Sequence, residues 1–177
     1  MLYVALLRGI NVGGNNKIEM TRLKALFERL GYGDVLSYIN SGNIVFSSKI
    51  TNLKKLEAEI EKGIEVEFGL NVKTLVRSQI NITGVCKAIP RGWQNGIQQK
   101  TDVLFLRDEV DSPEIISKIE HNKDIDNLIY VPGALIWNID RKNYSRSGMN
   151  NFAKNLIYKL STARNCNTVR KINEILS

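Results

Sequence analysis

Six apolar residues in a row, Leu2-Tyr3-Val4-Ala5-Leu6-Leu7, open the chain and are cut off by Arg8. A run this short, with a β-branched residue and an aromatic, reads as a fully buried strand. It is far too short for a membrane span and lacks the basic leader and small-residue cleavage site of a signal peptide. A glycine- and asparagine-rich loop follows from Arg8 to Lys17. Met20, Leu23, Leu26, Phe27 and Leu30 then recur at helical spacing, with Gly31 placed to end the helix. Val35 to Ile39 and Ile44 to Ser47 read as strands about the turn Asn40-Ser41-Gly42-Asn43. Asn52 is placed to cap a helix with the inner face Leu53, Leu56, Ile60 and Ile64, and Val72 to Val76 reads as one more strand. The order is β-α-β-β-α-β, the split βαβ plan of a ferredoxin-like sandwich.

The second half begins the same plan again. Val103 to Leu106 reads as a strand, Ser112-Pro113-Glu114 as a helix start, and Leu128 to Val131 with Ala134 to Ile139 as a hairpin about Pro132-Gly133. Met149, Phe152, Ala153, Leu156, Ile157 and Leu160 predict an amphipathic helix. Thr168 is expected to open a last helix with Val169, Ile172, Ile175 and Leu176, where the plan calls for a strand. The expected fold is therefore α+β, with two ferredoxin-like subdomains packed together, the second modified by a C-terminal helix pair. The expected boundaries are 1–90 for the first half, 91–100 for a linker rich in amides and glycine, and 101–177 for the second half.

The chain has 177 residues and a formal net charge of +7. Residues 1–140 are neutral on balance, so all of the excess lies in the last 37 residues, from Arg141 to Lys171 against Glu174 alone. Clustered positive charge favours anionic partners, or simply a solubilising surface. Two cysteines, Cys86 and Cys166, cannot build a disulfide framework or a thiolate metal site, and a single histidine excludes a His-rich one. Both thiols read as buried and structural. The expectation is a soluble, cytoplasmic protein with no cofactor and no metal. Asp108-Glu109-x-Asp111 has carboxylates for a cation but also suits an ordinary helix start. His121 lies in the solvated-looking stretch Glu120-His121-Asn122-Lys123 and makes a poor triad base, while Glu57, Glu61 and Glu65 read as a solvent-facing row.

The candidate ligand-binding residues sit in polar loops. Arg8, Asn11, Gly13, Gly14 and Lys17 follow the first strand, where backbone amides can converge on an anion. The spacing is neither a Walker A motif nor a dinucleotide fingerprint, and a plain crossover loop pinned by asparagines explains it as well. Asn40, Ser41 and Asn43 offer polar edges at the hairpin. Ser145, Arg146 and Ser147 repeat the strand-loop-helix setting with a guanidinium and hydroxyls. Arg164, Asn165 and Thr168 fall in the expected joint between the last two helices, with Thr168 as a plausible N-cap; ordinary capping accounts for this segment too.

The segments Leu6-Leu7-Arg8-Gly9-Ile10-Asn11-Val12-Gly13-Gly14, Lys17-Ile18 with Met20, and Tyr38-Ile39-Asn40-Ser41-Gly42-Asn43-Ile44-Val45-Phe46 resemble the bacterial family called domain of unknown function 1697. Ser145-Arg146-Ser147, Thr162-Ala163-Arg164-Asn165 and Asn167-Thr168 resemble that family's closing motifs, except that Cys166 stands where the family usually has a tryptophan. The resemblance implies a stand-alone α+β bacterial cytosolic protein and no particular reaction. Three functions stay open. The first is binding of a phosphate-bearing ligand, a nucleotide or nucleic acid, in a cleft lined by the Arg-, Asn- and Gly-rich loops. The second is a transferase-type enzyme acting by electrostatic stabilisation. The third is a structural or protein-interaction module. An RNA-recognition sheet is disfavoured, because the third strand reads Ile44-Val45-Phe46-Ser47 without a basic-Gly-aromatic signature. No membrane partner is expected, and the sequence does not specify an oligomeric state.

Overall fold

A computed structural model describes residues 1–14 and 16–177. Two compact units emerge, Met1–Ile80 together with Glu174–Ser177, and Asn81–Asn173.

In the first unit, strands β1 (Leu2–Leu7), β2 (Gly33–Tyr38), β3 (Asn43–Ser47) and β4 (Thr74–Ser78) form an antiparallel sheet in the order β2-β3-β1-β4. Helices α1 (Met20–Arg29) and α2 (Leu53–Phe68) pack on one face. The strand period of two explains the core: Tyr3, Ala5 and Leu7 alternate onto that face and meet Ile44, Phe46, Leu23, Phe27, Leu56 and Ile60. Phe46 is its hub, with ring centroids 4.7 Å from Tyr32, 5.5 Å from Phe27 and 5.7 Å from Tyr3. The intervening residues Val4, Leu6, Val45 and Leu75 are buried as well, as a continuously apolar β1 requires. Asn52 caps α2 by accepting from Lys55 N at 3.0 Å, and Gly31 follows α1 with a φ of 85°.

The glutamate row on α2 does not lie in solvent as expected. Glu57 Oε1 accepts from Val76 N at 3.0 Å and Glu61 Oε1 from Thr74 N at 2.8 Å; Glu57 is 5% exposed, and only Glu65 faces water. Strand β4 is the sheet edge, so its outward N–H groups have no strand to pair with. Carboxylates one helical turn apart supply the acceptors, and Arg77 Nη1, 4.0 Å from Glu57 Oε1, offsets part of the buried charge.

The second unit opens on α3 (Gln79–Ala88), a helix absent from the sequence reading, which the boundary at residue 80 cuts near its start. Strands β5 (Gln99–Leu106), β6 (Asn127–Val131), β7 (Ala134–Asp140) and β8 (Ser161–Asn165) form an antiparallel sheet in the order β6-β7-β5-β8. Leu104, Leu106, Leu135 and Trp137 pack with Ile115, Phe152 and Ile157 on one face. Residues 91–100 are tied into this unit: Arg170 donates to Trp93 O at 2.9 Å, Asn167 to Asn95 O at 2.9 Å, and Thr101 Oγ1 to Gln94 O at 2.7 Å.

The C-terminal third departs from expectation. In place of one amphipathic helix stand 3-10 turns at Arg141–Arg146, Gly148–Asn150 and Phe152–Lys154, then a single helical turn α4 (Leu156–Lys159). Ser147 and Asn155 explain the breaks, since each accepts a backbone N–H two residues on and so caps a fresh turn. The expected joint between two helices is instead strand β8, followed by α5 (Cys166–Leu176), so no C-terminal helix pair exists. Ser161–Asn165 has no apolar alternation, and pairing with β5 makes it a strand.

Candidate functional site

Two sets of the predicted residues are gathered by the fold, one in each unit. In the first, Leu7 N donates to Gly42 O at 2.8 Å and Arg8 N to Lys73 O at 2.9 Å, which fixes where the polar loop leaves β1. The loop then passes through left-handed backbone at Gly9, Asn11, Gly13, Gly14 and Asn16. Asn11 is its clamp. Its Oδ1 accepts from Ile18 N at 2.8 Å, while Nδ2 donates to Ile18 O and to Asn40 O, both at 2.9 Å, joining the loop to the β2–β3 turn. Asn43 is fully buried and donates to Tyr38 O and Ser41 Oγ. At Gly42 any Cβ would lie 2.8 Å from the Leu7 side chain. These amides therefore hold backbone, and of the expected ligand residues in this set Gly13, Gly14, Lys17 and Asn40 are exposed, with Arg8 half-buried.

The second set lines a cavity. A cleft of about 560 Å³ lies between residues 120–122 and the turns at 145–155, with Ser145, Arg146 and Ser147 in its wall. Asp126, 6% exposed, holds the two walls together. One carboxylate oxygen accepts from Trp137 Nε1 at 2.8 Å and from Ser147 Oγ; the other accepts from Asn122 N at 2.7 Å and Gly148 N at 3.0 Å. Burial alone would raise its pKa, but these donors outweigh that and hold the carboxyl below the usual aspartate range. Ser147 also accepts from Met149 N, so its hydroxyl serves the scaffold. At Gly148 the walls touch: a Cβ would lie 2.1 Å from Glu120 O and 2.9 Å from His121 Cα. Only glycine allows that approach.

The groups left to face the cleft are cationic and amidic. Arg146 and Lys154 are exposed, and neither side chain makes a hydrogen bond or ion pair among the described residues. Asn122, Asn151 and Asn155 supply amides, and Glu120 is the one carboxylate in the lining. The cations of α1 and α2 behave differently, with Arg22 and Arg29 both bound to Glu67 and Lys62 to Glu65. Sequence reasoning found Ser145, Arg146 and Ser147 and missed Asp126, Lys154 and the wall at His121. Asp126 carries no local motif, because its partners lie 4 to 22 residues away.

The remaining candidates lie outside this lining. Arg164 on β8 pairs with Val103, and its Nη1 donates to Ala163 O at 2.8 Å; burial pulls its pKa down to about 10. Arg77 holds the matching place on β4, opposite Val4, and donates to Val76 O at 2.9 Å. Asn165 Oδ1 accepts from Thr168 N at 2.9 Å, so Asn165 caps α5, while Thr168, expected as the cap, is buried in its first turn. Cys166 is buried, and burial pushes its thiol up. Asp111, in the acidic loop, accepts from Tyr130 Oη at 3.0 Å and Gly133 N at 2.9 Å, which fastens the β6–β7 hairpin. Among the described residues, no three His, Cys, Asp or Glu side chains cluster for a metal.

A family model described as "Protein of unknown function (DUF1697)" matches residues 1–137. The closing motifs fall beyond that range. Among solved structures, the chain is similar to the conserved bacterial protein SP0830 from Streptococcus pneumoniae, at 27% identity and a TM-score of 0.84, over 99% of this chain and 98% of that one. No curated protein matches the chain at a significant level.

Proposed function

The chain belongs to the DUF1697 family, whose description names no reaction, and from the geometry of its cleft we propose that it binds an anionic, phosphate-bearing ligand, a nucleotide or a nucleic-acid end. One observation carries the reading: Arg146 and Lys154 line a cleft of about 560 Å³, and neither side chain makes an ion pair or hydrogen bond among the described residues. That volume falls in the range of small-molecule sites. A guanidinium forks onto phosphate oxygens, an ammonium adds a point charge, and the asparagine amides donate to or accept from the rest of the ligand. The Asp126 clamp makes the walls rigid, so less ordering is lost on binding. The neutral balance of residues 1–140 and the excess of positive charge beyond them support the same assignment.

The strand orders β2-β3-β1-β4 and β6-β7-β5-β8 support reading both units as ferredoxin-like, the second with short turns in place of its helices. No helix among the described residues is long and apolar enough to cross a membrane, and both cysteines are free, which supports a reduced, cytoplasmic setting. Native mass spectrometry of freshly purified protein, with its ultraviolet absorbance ratio, tests the binding reading. A co-purifying phosphate-bearing species that is lost in an Arg146→Ala/Lys154→Ala variant is the expected result. Retention of the same species by that variant would place binding elsewhere.

A further inference from the structure

Two of the asparagines in the cleft wall have their amides turned by the backbone. Asp124 N donates to Asn122 Oδ1 at 3.1 Å, and Ile157 N donates to Asn155 Oδ1 at 2.8 Å. A backbone N–H can only donate, so the atom facing it is in each case the amide oxygen, and the open edge of the side chain is its NH₂ group. Neither Nδ2 makes a hydrogen bond among the described residues. Both residues are half-buried and tied to the chain, so little ordering is left for a ligand to impose. The groups beneath are already spent. Ser147 Oγ and Gly148 N donate to Asp126, whose two oxygens are taken up by Trp137 and Asn122 as well, so the ionised carboxylate offers a ligand no acceptor.

We propose that Asn122 and Asn155 are specificity-determining donors of this cleft and that, with Arg146 and Lys154, they bind the oxyanion head of the ligand, a terminal phosphoryl or sulfuryl group, whatever that head is attached to. The proposal rests on the reading of the cleft as an anion site and narrows it. Net charge does not make the selection: the fixed charges of Arg146 and Lys154 stand against Glu120 in the lining and Asp126 beneath it. The direction of the hydrogens does. The open edges of the two amides, the guanidinium and the ammonium are donors only, and the oxygens of an ionised oxyanion are acceptors only. A nucleobase edge mixes donors with acceptors and would set N–H against N–H at these four groups. The head of the ligand, and not a base, is therefore what they recognise.

The test uses the full chain with inorganic sulfate, an acceptor-only oxyanion, and with adenosine as a probe that lacks the head. Binding is read from the amide resonances of Gly148 and Asn151. Sulfate is expected to shift them and adenosine to leave them in place, while adenosine 5′-monophosphate and ribose 5-phosphate bind within about threefold of each other. Asn155→Ser and Asn122→Ser, whose hydroxyls can keep the bonds from Ile157 N and Asp124 N, should each bind sulfate about tenfold more weakly, the scale of one hydrogen bond to a charged group, with thermal midpoints nearly unchanged. Asn155→Asp keeps both shape and cap but makes the open edge an acceptor, and should bind more weakly than Asn155→Ser. If Arg146→Ala/Lys154→Ala abolishes sulfate binding but all three asparagine variants bind it as wild type does, the role of Asn122 and Asn155 is overturned while the anion site stands. If adenosine 5′-monophosphate binds and sulfate does not, or adenosine binds as tightly as its monophosphate, recognition through the head is overturned. If neither sulfate nor the monophosphate moves these resonances in wild type, both readings fall.

Discussion

Replacing Asp126 by Asn keeps the shape of the side chain and changes only its hydrogen-bonding. The carboxylate accepts four bonds, two on each oxygen: Trp137 Nε1 and Ser147 Oγ on one, Asn122 N and Gly148 N on the other. An asparagine has one acceptor oxygen; turned toward Asn122 N and Gly148 N, it sets its NH₂ against Trp137 Nε1, which can only donate, and Ser147 Oγ, which can turn to accept. The Trp137 bond is lost, its N–H is left without that acceptor, and the remaining bonds go from a charged to a neutral acceptor. At about 1.5–3 kcal/mol for a bond to a charged group, the variant should lose about 2–4 kcal/mol. The pH dependence follows from the same contacts. The native carboxyl titrates below its unfolded value, so its contribution is complete above roughly pH 4 and is lost as pH falls through the lower, native value. Urea unfolding measured at pH 7 and pH 3, with the fluorescence of buried Trp137 as one probe, reads both effects. Wild type should lose part of the Asp126 contribution between the two, and Asp126→Asn should lack that part of the change. A loss under about 1 kcal/mol at pH 7 would refute the claim that this carboxylate holds the cleft together.

Two further substitutions test the close contacts. Gly148→Ala places a methyl group 2.1 Å from Glu120 O, which forces the walls apart; the expected loss is about 1–3 kcal/mol in denaturant unfolding, and an unchanged midpoint would mean that the walls do not touch. Glu57→Ala should cost about 2–4 kcal/mol by orphaning Val76 N beside Arg77, whereas Glu57→Gln retains an acceptor oxygen and should cost less than half as much. Equal losses in the two variants would remove the edge-capping role of Glu57.

The first unit was legible because its elements obey simple periods. Leu23, Leu26 and Phe27 recur as a helix face must, β1 is apolar throughout, and Asn52 and Gly31 mark helix ends at the expected places. The glutamates of α2 were misread because helical spacing reports which face is apolar and says nothing about a sheet edge lying alongside. In the second unit, 141–160 has the apolar spacing of a helix, yet Ser147 and Asn155 compete for backbone N–H groups and divide it into short turns. Strand β8 was hidden because Ser161–Asn165 owes its conformation to pairing with β5 rather than to its own side chains. Arg146 was found in the sequence because it sits among loop signals; Lys154 and His121 were not, because only the folded chain sets them in the wall with it.

The most direct measurement is a nuclear magnetic resonance titration of the full chain with adenosine 5′-monophosphate, comparing wild type with Arg146→Ala/Lys154→Ala. Amides from residues 120–122 and 145–155 should shift in wild type. The variant should bind at least about tenfold more weakly while its thermal midpoint stays nearly unchanged, since both side chains are exposed. Shifts confined to other parts of the chain, or equal affinity in the two proteins, would contradict an anion site in this cleft.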